Sequence, residues 1–212
     1  MKALFTIMVT VFLSSVVFGT EQIPDKLIYK GKEYELQTNP MESYFKKYPD
    51  KRPKGAISSA CWRGYVATFE IKNNQLYLKD IEVEFWNKGK INSKSVLNKL
   101  FPKQEMIKID WFTGLLIIPY GEIVDQAYLS LDYGSLYEHY ILLEIENGNL
   151  NREKQFEHQE YEEFKDKKFQ AYKETEEYKK TKEELKEAVQ WDDDLIDYVL
   201  RSYTSTYIKS ID

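Results

Sequence analysis

Two seven-residue stretches, EIKNNQL from Glu70 and EIENGNL from Glu144, set a two-residue turn between runs of alternating apolar residues. Asn73-Asn74 and Asn147-Gly148 are residue types that accept the positive φ angles of a tight hairpin turn, and Asn-Gly is the strongest short signal of this kind in the chain. The rest of the chain must therefore be compatible with antiparallel pairing. From Cys61 onward, Cys61, Arg63, Tyr65, Ala67, Phe69 and Ile71 share one parity of an extended strand, and Val66, Thr68, Glu70 and Lys72 share the other. With the turn at Asn73-Asn74, Ile71 faces Leu76 and Phe69 faces Leu78. Further on, the apolar set passes from Leu76 and Leu78 to Ile81, Val83 and Phe85, a parity change that a one-residue bulge near Lys79-Asp80 absorbs. In the second hairpin, Ile141, Leu143 and Ile145 share a face and Leu150 meets them across the turn. The two stretches are 74 residues apart, and both duplication and convergence on the same turn chemistry fit the spacing.

The same idiom extends to other segments. LIYKGKEYEL predicts a hairpin over Leu27 to Leu36 turning at Lys30-Gly31. TNPMESYFKKYPDKRP predicts a short helix to about Lys47, with Asn39 as cap and Pro40 at its first position, stopped by the Pro49 and Pro53 region. A strand is expected around Met106 to Asp110, then a break near Thr113-Gly114, a buried run Leu115 to Ile118, a Pro119-Tyr120-Gly121 turn and a further turn at Asp132 to Ser135. From Glu153 the chain is dense in Glu and Lys, which predicts a long, largely exposed helix breaking near Lys173 to Thr175. A last helix capped near Asp192 or Asp193 places Leu195, Ile196, Val199, Leu200 and Tyr203 on one face, which is expected to dock on the sheet. The fold expected is α+β: an antiparallel sheet of about six to eight strands, a short helix near its start and two C-terminal helices. Its divisions are a signal segment 1–19, a β-rich domain 20–152 and a charged helical region 153–212.

MKALFTIMVTVFLSSVVFGTEQ has the layout of a secretory signal: a lysine, an apolar run and small residues at its end. A periplasmic or secreted bacterial protein is expected, with no membrane span after signal removal. Retention of the run as an anchor is the alternative. One cysteine cannot make an internal disulfide, and no Asn-x-Ser/Thr sequon is present. The net charge of −5 becomes −6 without Lys2, which disfavours a nucleic-acid partner because no net basic field collects phosphates. Aromatics at 15% of the chain serve a packed core or a wet binding face.

Cys61 would need a base to act as a nucleophile, and only His139 and His158 are available; a small buried thiol is the plainer reading. Arg63 shares the parity of apolar neighbours, so it is expected to point inward and to need a carboxylate, either as a structural ion pair or as an anion-binding group. Glu138, Asp110, Asp132 and Glu122 are the candidate partners, with Glu138 expected to pair directly or through one intermediate. Asp110, Glu122, Asp132 and Glu138 also neighbour Trp111, Tyr120, Tyr133 and Tyr137, the ingredients of a glycoside-processing site with paired carboxyls, so Glu138, Asp110 and Glu122 are the candidate catalytic acids. Asp192, Asp193 and Asp194 fit helix capping; no metal site and no cofactor are expected.

NPMESYFKKYPDKRP, CWRGYVATFEI, LYLKDI, DWFTGLLIIPYGE and YGSLYEHYILLEIENG resemble an uncharacterised family of bacterial hypothetical proteins. That family carries a Trp-Arg-Gly-Tyr hairpin, a Trp-Phe-x-Gly strand with a Pro-x-Gly turn, and a Gly-Ser-x-Tyr-Glu motif. The resemblance covers about Asn39 to Gly148 and a charged C-terminal helix. It draws attention to Trp62, Arg63, Gly64, Asp110, Trp111, Gly114, Tyr133, Gly134, Ser135, Tyr137 and Glu138 and implies no activity. The leading functional expectation is a non-enzymatic binding or interaction module, with another protein or a cell-envelope glycan as partner. The alternatives are a carbohydrate- or cell-wall-active hydrolase and an exported immunity-type protein.

Overall fold

The structure, a computed structural model, describes residues 21–54, 58–126, 133 and 135–212. The expected signal segment, Asp132 and Gly134 lie outside the described residues. The fold is α+β, with nine strands and six helices among the described residues: β1 Asp25–Tyr29, β2 Lys32–Leu36, α1 Met41–Lys47, β3 Val66–Lys72, β4 Gln75–Asn87, β5 Lys90–Ser95, α2 Leu97–Leu100, β6 Ile107–Lys108, β7 Gly114–Gln126, β8 Ser135–Glu146, β9 Asn149–Glu157, α3 His158–Lys173, α4 Glu176–Val189, α5 Asp193–Ser202 and α6 Thr204–Tyr207.

The sheet runs β2-β1-β3-β4-β9-β8-β7, with β5 and β6 attached to β4. It is mixed, because β1 lies parallel to β3, with Lys26 opposite Thr68 and Leu27 opposite Phe69. The purely antiparallel expectation fails here because the segment containing α1 carries the chain back across the sheet end, so that β3 enters beside β1 in the same direction. Four two-residue turns close the hairpins: Lys30-Gly31, Asn73-Asn74, Lys88-Gly89 and Asn147-Gly148, each with both residues at positive φ. Ile71 does face Leu76 and Phe69 does face Leu78, and the register slips at Thr68/Phe69 so that Lys79 is the extra, bulged residue. Ile145 meets Leu150.

The two echoing hairpins meet at their tips. Leu76 N–H donates to the Gly148 carbonyl (2.8 Å) and Leu150 N–H to the Asn74 carbonyl (2.8 Å). Leu76 corresponds to Leu150 and Asn74 to Gly148 at the 74-residue offset, so the junction is locally two-fold symmetric. Gly148 is required here: a Cβ would sit 1.5 Å from the Ile109 carbonyl oxygen, at φ +77.

Pro119-Tyr120-Gly121 is not a turn. β7 runs straight through it, with a register shift between Tyr120 and Ile123 and Gly121 at φ +89. Proline is tolerated because β7 is the last strand in the order. Ile117, two residues back, turns its N–H outward to the Thr38 hydroxyl (3.1 Å), so position 119 has no ladder donor to lose. Ile117 O also accepts from Gln37 N–H (2.9 Å), so the curled sheet brings the end of β2 to β7.

β7 and β8 are covered on both faces. One core fills the inside of the curl, where Leu27, Phe69, Leu78, Leu116 and Leu143 pack with α1 and with the rings of Tyr44, Phe101 and Trp111. The other lies on the outer face, where Leu115, Ile117, Tyr140 and Leu142 meet Tyr161, Phe169, Ile196 and Leu200 of the C-terminal helices. The aromatic content is thus spent largely on packing. The expected helix break falls at Glu174-Thr175, and Asp192 caps α5 through Leu195 N–H (2.8 Å). The C-terminal region holds four helical segments rather than two, as Gln190 adopts a left-handed conformation after α4 and a final turn follows Tyr203. Asn39 does not cap α1 through its side chain; its Oδ1 accepts from the Tyr133 hydroxyl (3.0 Å).

Candidate functional site

Arg63 is buried, at 3% exposure, but not as part of a strand. Ser59–Cys61 forms a 3-10 turn, Gly64 N–H closes onto the Cys61 carbonyl (2.9 Å), and Gly64 takes φ +80 before β3 begins at Val66. This reversal, which a glycine makes at little steric cost, throws the Arg63 side chain under the sheet end. Arg63 thus points inward as expected, but from a turn rather than from the extended strand expected over Cys61 to Tyr65.

The carboxylate that meets Arg63 is Asp25. Arg63 Nη2 donates to Asp25 Oδ1 (3.2 Å) and to the Ile23 carbonyl (2.8 Å), Nη1 donates to the Tyr133 hydroxyl (3.4 Å), and the guanidinium lies 5.6 Å from the Tyr65 ring centre. The parallel β1–β3 pairing brings Asp25 beside Ala67, whose N–H also donates to Oδ1 (2.8 Å). Asp25 Oδ2 and Arg63 Nε take no hydrogen-bond partner among the described residues. Complete burial outweighs the Arg63 charge and pushes the Asp25 carboxyl up to about 6. Sequence reasoning missed Asp25, although a signal existed: alternation in DKLIY puts Asp25 on the inward face with Leu27 and Tyr29, and all three are buried.

Beside Ile23 and Tyr133, both held by Arg63, opens a cleft of about 320 Å³. Its polar walls are Glu21, Glu35, Gln37, Tyr133, Ser135 and Tyr137, with Ile23, Pro24 and Ile123 as apolar flanks. Glu21 accepts from Ser135 N–H (3.0 Å) and Oγ (3.1 Å); Glu35 accepts from the Tyr137 hydroxyl (3.3 Å). No lysine or arginine lines the cleft among the described residues. Burial, then Glu35 and Glu21, hold the Tyr137 phenol up at about 12, in line with a negative field in the cleft. Tyr133, Ser135 and Tyr137 thus line the cleft, and the Trp-Arg-Gly-Tyr motif touches that lining through the Arg63–Tyr133 hydrogen bond.

Glu138, one residue past Tyr137, faces the other side of β8. Its Oε2 accepts from Glu122 N–H (2.9 Å) and lies 4.0 Å from His139 Nε2, whereas Arg63 bonds Tyr133, Ile23 and Asp25, so Glu138 neither pairs with Arg63 nor shares one of these partners with it. Glu122 and Asp110 are exposed. Asp110 precedes β7, and Glu122 lies within it, eight residues past its start at Gly114. Glu138 and Glu122 are thus neighbours, Asp110 lies toward the other end of β7, and Asp132 lies outside the described residues. Cys61 is buried with its thiol on the Tyr65 carbonyl (3.4 Å), and burial pushes it up. His139 instead sits 2.9 Å from Glu157 and beside the Tyr120 ring. Trp62 is half exposed, and Trp111 stacks in the inner core. Among the described residues no cluster of three or more His, Cys, Asp or Glu side chains could hold a metal ion, and no helix is long and apolar enough to cross a membrane. No protein-family model, curated protein or solved structure matches the chain.

Proposed function

We propose that the protein is a non-enzymatic binding module, exported to the periplasm or the medium, whose cleft beside Ile23 and Tyr133 receives a basic side chain of a protein partner. One observation carries this reading: the cleft is walled by two oriented carboxylates and two tyrosines with no basic side chain among them. A guanidinium or ammonium group entering it finds acceptors on Glu21 and Glu35 and ring faces on Tyr133 and Tyr137, the combination that recognises cations. An anion would meet only like charge. The buried pair serves as a rigid anchor, because Arg63 ties Ile23, Asp25 and Tyr133 to one point. A hydrolase pairing two of Glu138, Asp110 and Glu122 finds less support: Glu138 and Glu122 adjoin through the Glu122 N–H, but neither lines the cleft.

The test is a titration of the protein with N-acetyl-arginine amide, followed by NMR at Ser135, Tyr133 and Tyr137, with the neutral isostere N-acetyl-citrulline amide as control. Signals of these three residues are expected to move with arginine only, and Glu35→Gln is expected to weaken binding by about tenfold. Equal response to citrulline, or no response at the cleft, contradicts the proposal.

A further inference from the structure

Past Glu82, β4 leaves β3 and is paired only by β5, from Glu82↔Ser95 to Asn87↔Lys90. The result is a two-stranded finger of about 17–20 Å, closed by Lys88-Gly89. Near its tip Trp86 and Ile91 stand opposite each other, 62% and 43% exposed. From Phe85 to Gln104 the chain has five lysines, Lys88, Lys90, Lys94, Lys99 and Lys103, and no acidic residue, in a protein of net charge −5; the finger's two acids, Glu82 and Glu84, sit at its base, where Glu82 accepts from the Ser93 hydroxyl (2.8 Å) and Glu84 from the Ser58 hydroxyl (2.9 Å). All five lysines are exposed. Lys94 folds its ammonium over the Phe85 ring at 5.0 Å.

An exposed Trp–Ile pair is costly in water and calls for an apolar phase, while the surrounding lysines call for negative charge next to it. A second copy of this edge would bring one row of lysines against another, which opposes strand-to-strand association. A nucleic acid would run its phosphates on past the small basic lobe over an acidic body. A bilayer interface supplies both properties in one plane, with anionic headgroups at the level of the ammonium groups and acyl chains just below, where Trp side chains settle. We infer that the β4–β5 finger is a docking element for anionic phospholipid surfaces, with Trp86 and Ile91 entering the interface and Lys88, Lys90 and Lys94 holding the headgroups. This inference does not depend on the cleft or its ligand.

The test uses the full chain with vesicles of phosphatidylcholine alone or mixed with phosphatidylglycerol, each also prepared with brominated acyl chains that quench nearby tryptophan. The N-terminal apolar segment is common to all variants, so the finger is read from the difference between them. Quenching attributable to Trp86, found by subtracting Trp86→Phe, is expected with the anionic vesicles and absent with neutral ones, and it should fade with salt. The Lys88→Gln, Lys90→Gln, Lys94→Gln triple variant should need about 100-fold more anionic lipid for the same quenching, with its thermal unfolding unchanged because all three side chains are exposed. Trp86 quenching that is absent from both vesicles, equal in both, or indifferent to the lysine changes overturns the inference. So does a single-stranded oligonucleotide that shifts Trp86 emission where the mixed vesicles do not.

Discussion

The β3–β4 and β8–β9 hairpins turn on the same two-residue geometry and join at their tips through mirrored hydrogen bonds, yet they meet different surroundings. β8 is buried on both faces, between the inner core and the C-terminal helices. β4 is buried only as far as Ile81, and its outer half stands out with β5 as a finger. Local turn chemistry decides that a hairpin forms; what covers it is decided by chain far away in sequence.

The same contrast appears in the electrostatics. Asp25, at the base of the first hairpin, is held above the usual carboxylate range because burial is stronger than its single cationic partner. Asp197, in α5 over the second hairpin, is held down at about 2: partial burial pushes it up, but hydrogen bonds from Lys173 (2.7 Å), the Tyr178 hydroxyl (2.5 Å) and Lys182 (3.0 Å) together prevail. One acid is over-buried, the other over-partnered.

The largest effect that would break the symmetry of the two tips is expected from Gly148→Ala. The added Cβ would collide with the Ile109 carbonyl, and the loss should exceed about 4 kcal/mol in denaturant unfolding or prevent folding altogether. Asp25→Asn comes next, at about 3–5 kcal/mol, because it leaves the Arg63 charge buried without a counter-charge. Arg63→Met should cost less, since Asp25 can take up a proton whereas a guanidinium cannot shed one. Combining Arg63→Met with Asp25→Leu should return the chain to within about 1 kcal/mol of its starting stability. Failure of that recovery would mean that Arg63 holds the cleft residues by more than its charge.

The pH dependence separates the two regions. Asp25 binds its proton more tightly folded than unfolded, so its contribution to stability falls by about 3 kcal/mol as pH rises from about 4 to about 6 and is level above that. Asp197 has the opposite sign: its contribution, about 1–2 kcal/mol, is full above about pH 4 and is lost as pH falls toward 2. Asp197→Ala should make the acid limb of a stability–pH curve shallower and leave the change between pH 4 and 6 in place. The smallest effect is expected at the partner tip, where Asn74→Gly should change stability by no more than about 0.5 kcal/mol, since glycine accepts the φ of +57 found there.

Legibility in the sequence followed the range of the interactions. The β3–β4 register, the Lys79 bulge, the helix break at Thr175 and the Asp192 cap all depend on neighbours within a few residues, and the sequence was sufficient for them. The β4–β5 hairpin was overlooked, although Lys88-Gly89 repeats the Lys30-Gly31 turn that had been recognised. The parallel β1–β3 contact could not be read, because it joins segments some forty residues apart without a periodic signature. For the same reason the inward direction of Arg63 was legible and its partner was not. The candidate acids lay downstream of Arg63, while Asp25, Glu21 and Glu35 lie upstream; Asp25 reaches Arg63 through that parallel pairing, and Glu35 reaches the cleft where the end of β2 meets β7.

The central claim is that the cleft is anchored by a fully buried charge pair in which burial prevails over the pairing. The direct measurement is the titration of the Asp25 side-chain carboxyl by carbon-13 NMR in the folded protein. A midpoint near 6 is the expected result. A midpoint at or below the unperturbed Asp value of about 3.9 would contradict it, because Asp25 would then be either solvated or fully satisfied by Arg63.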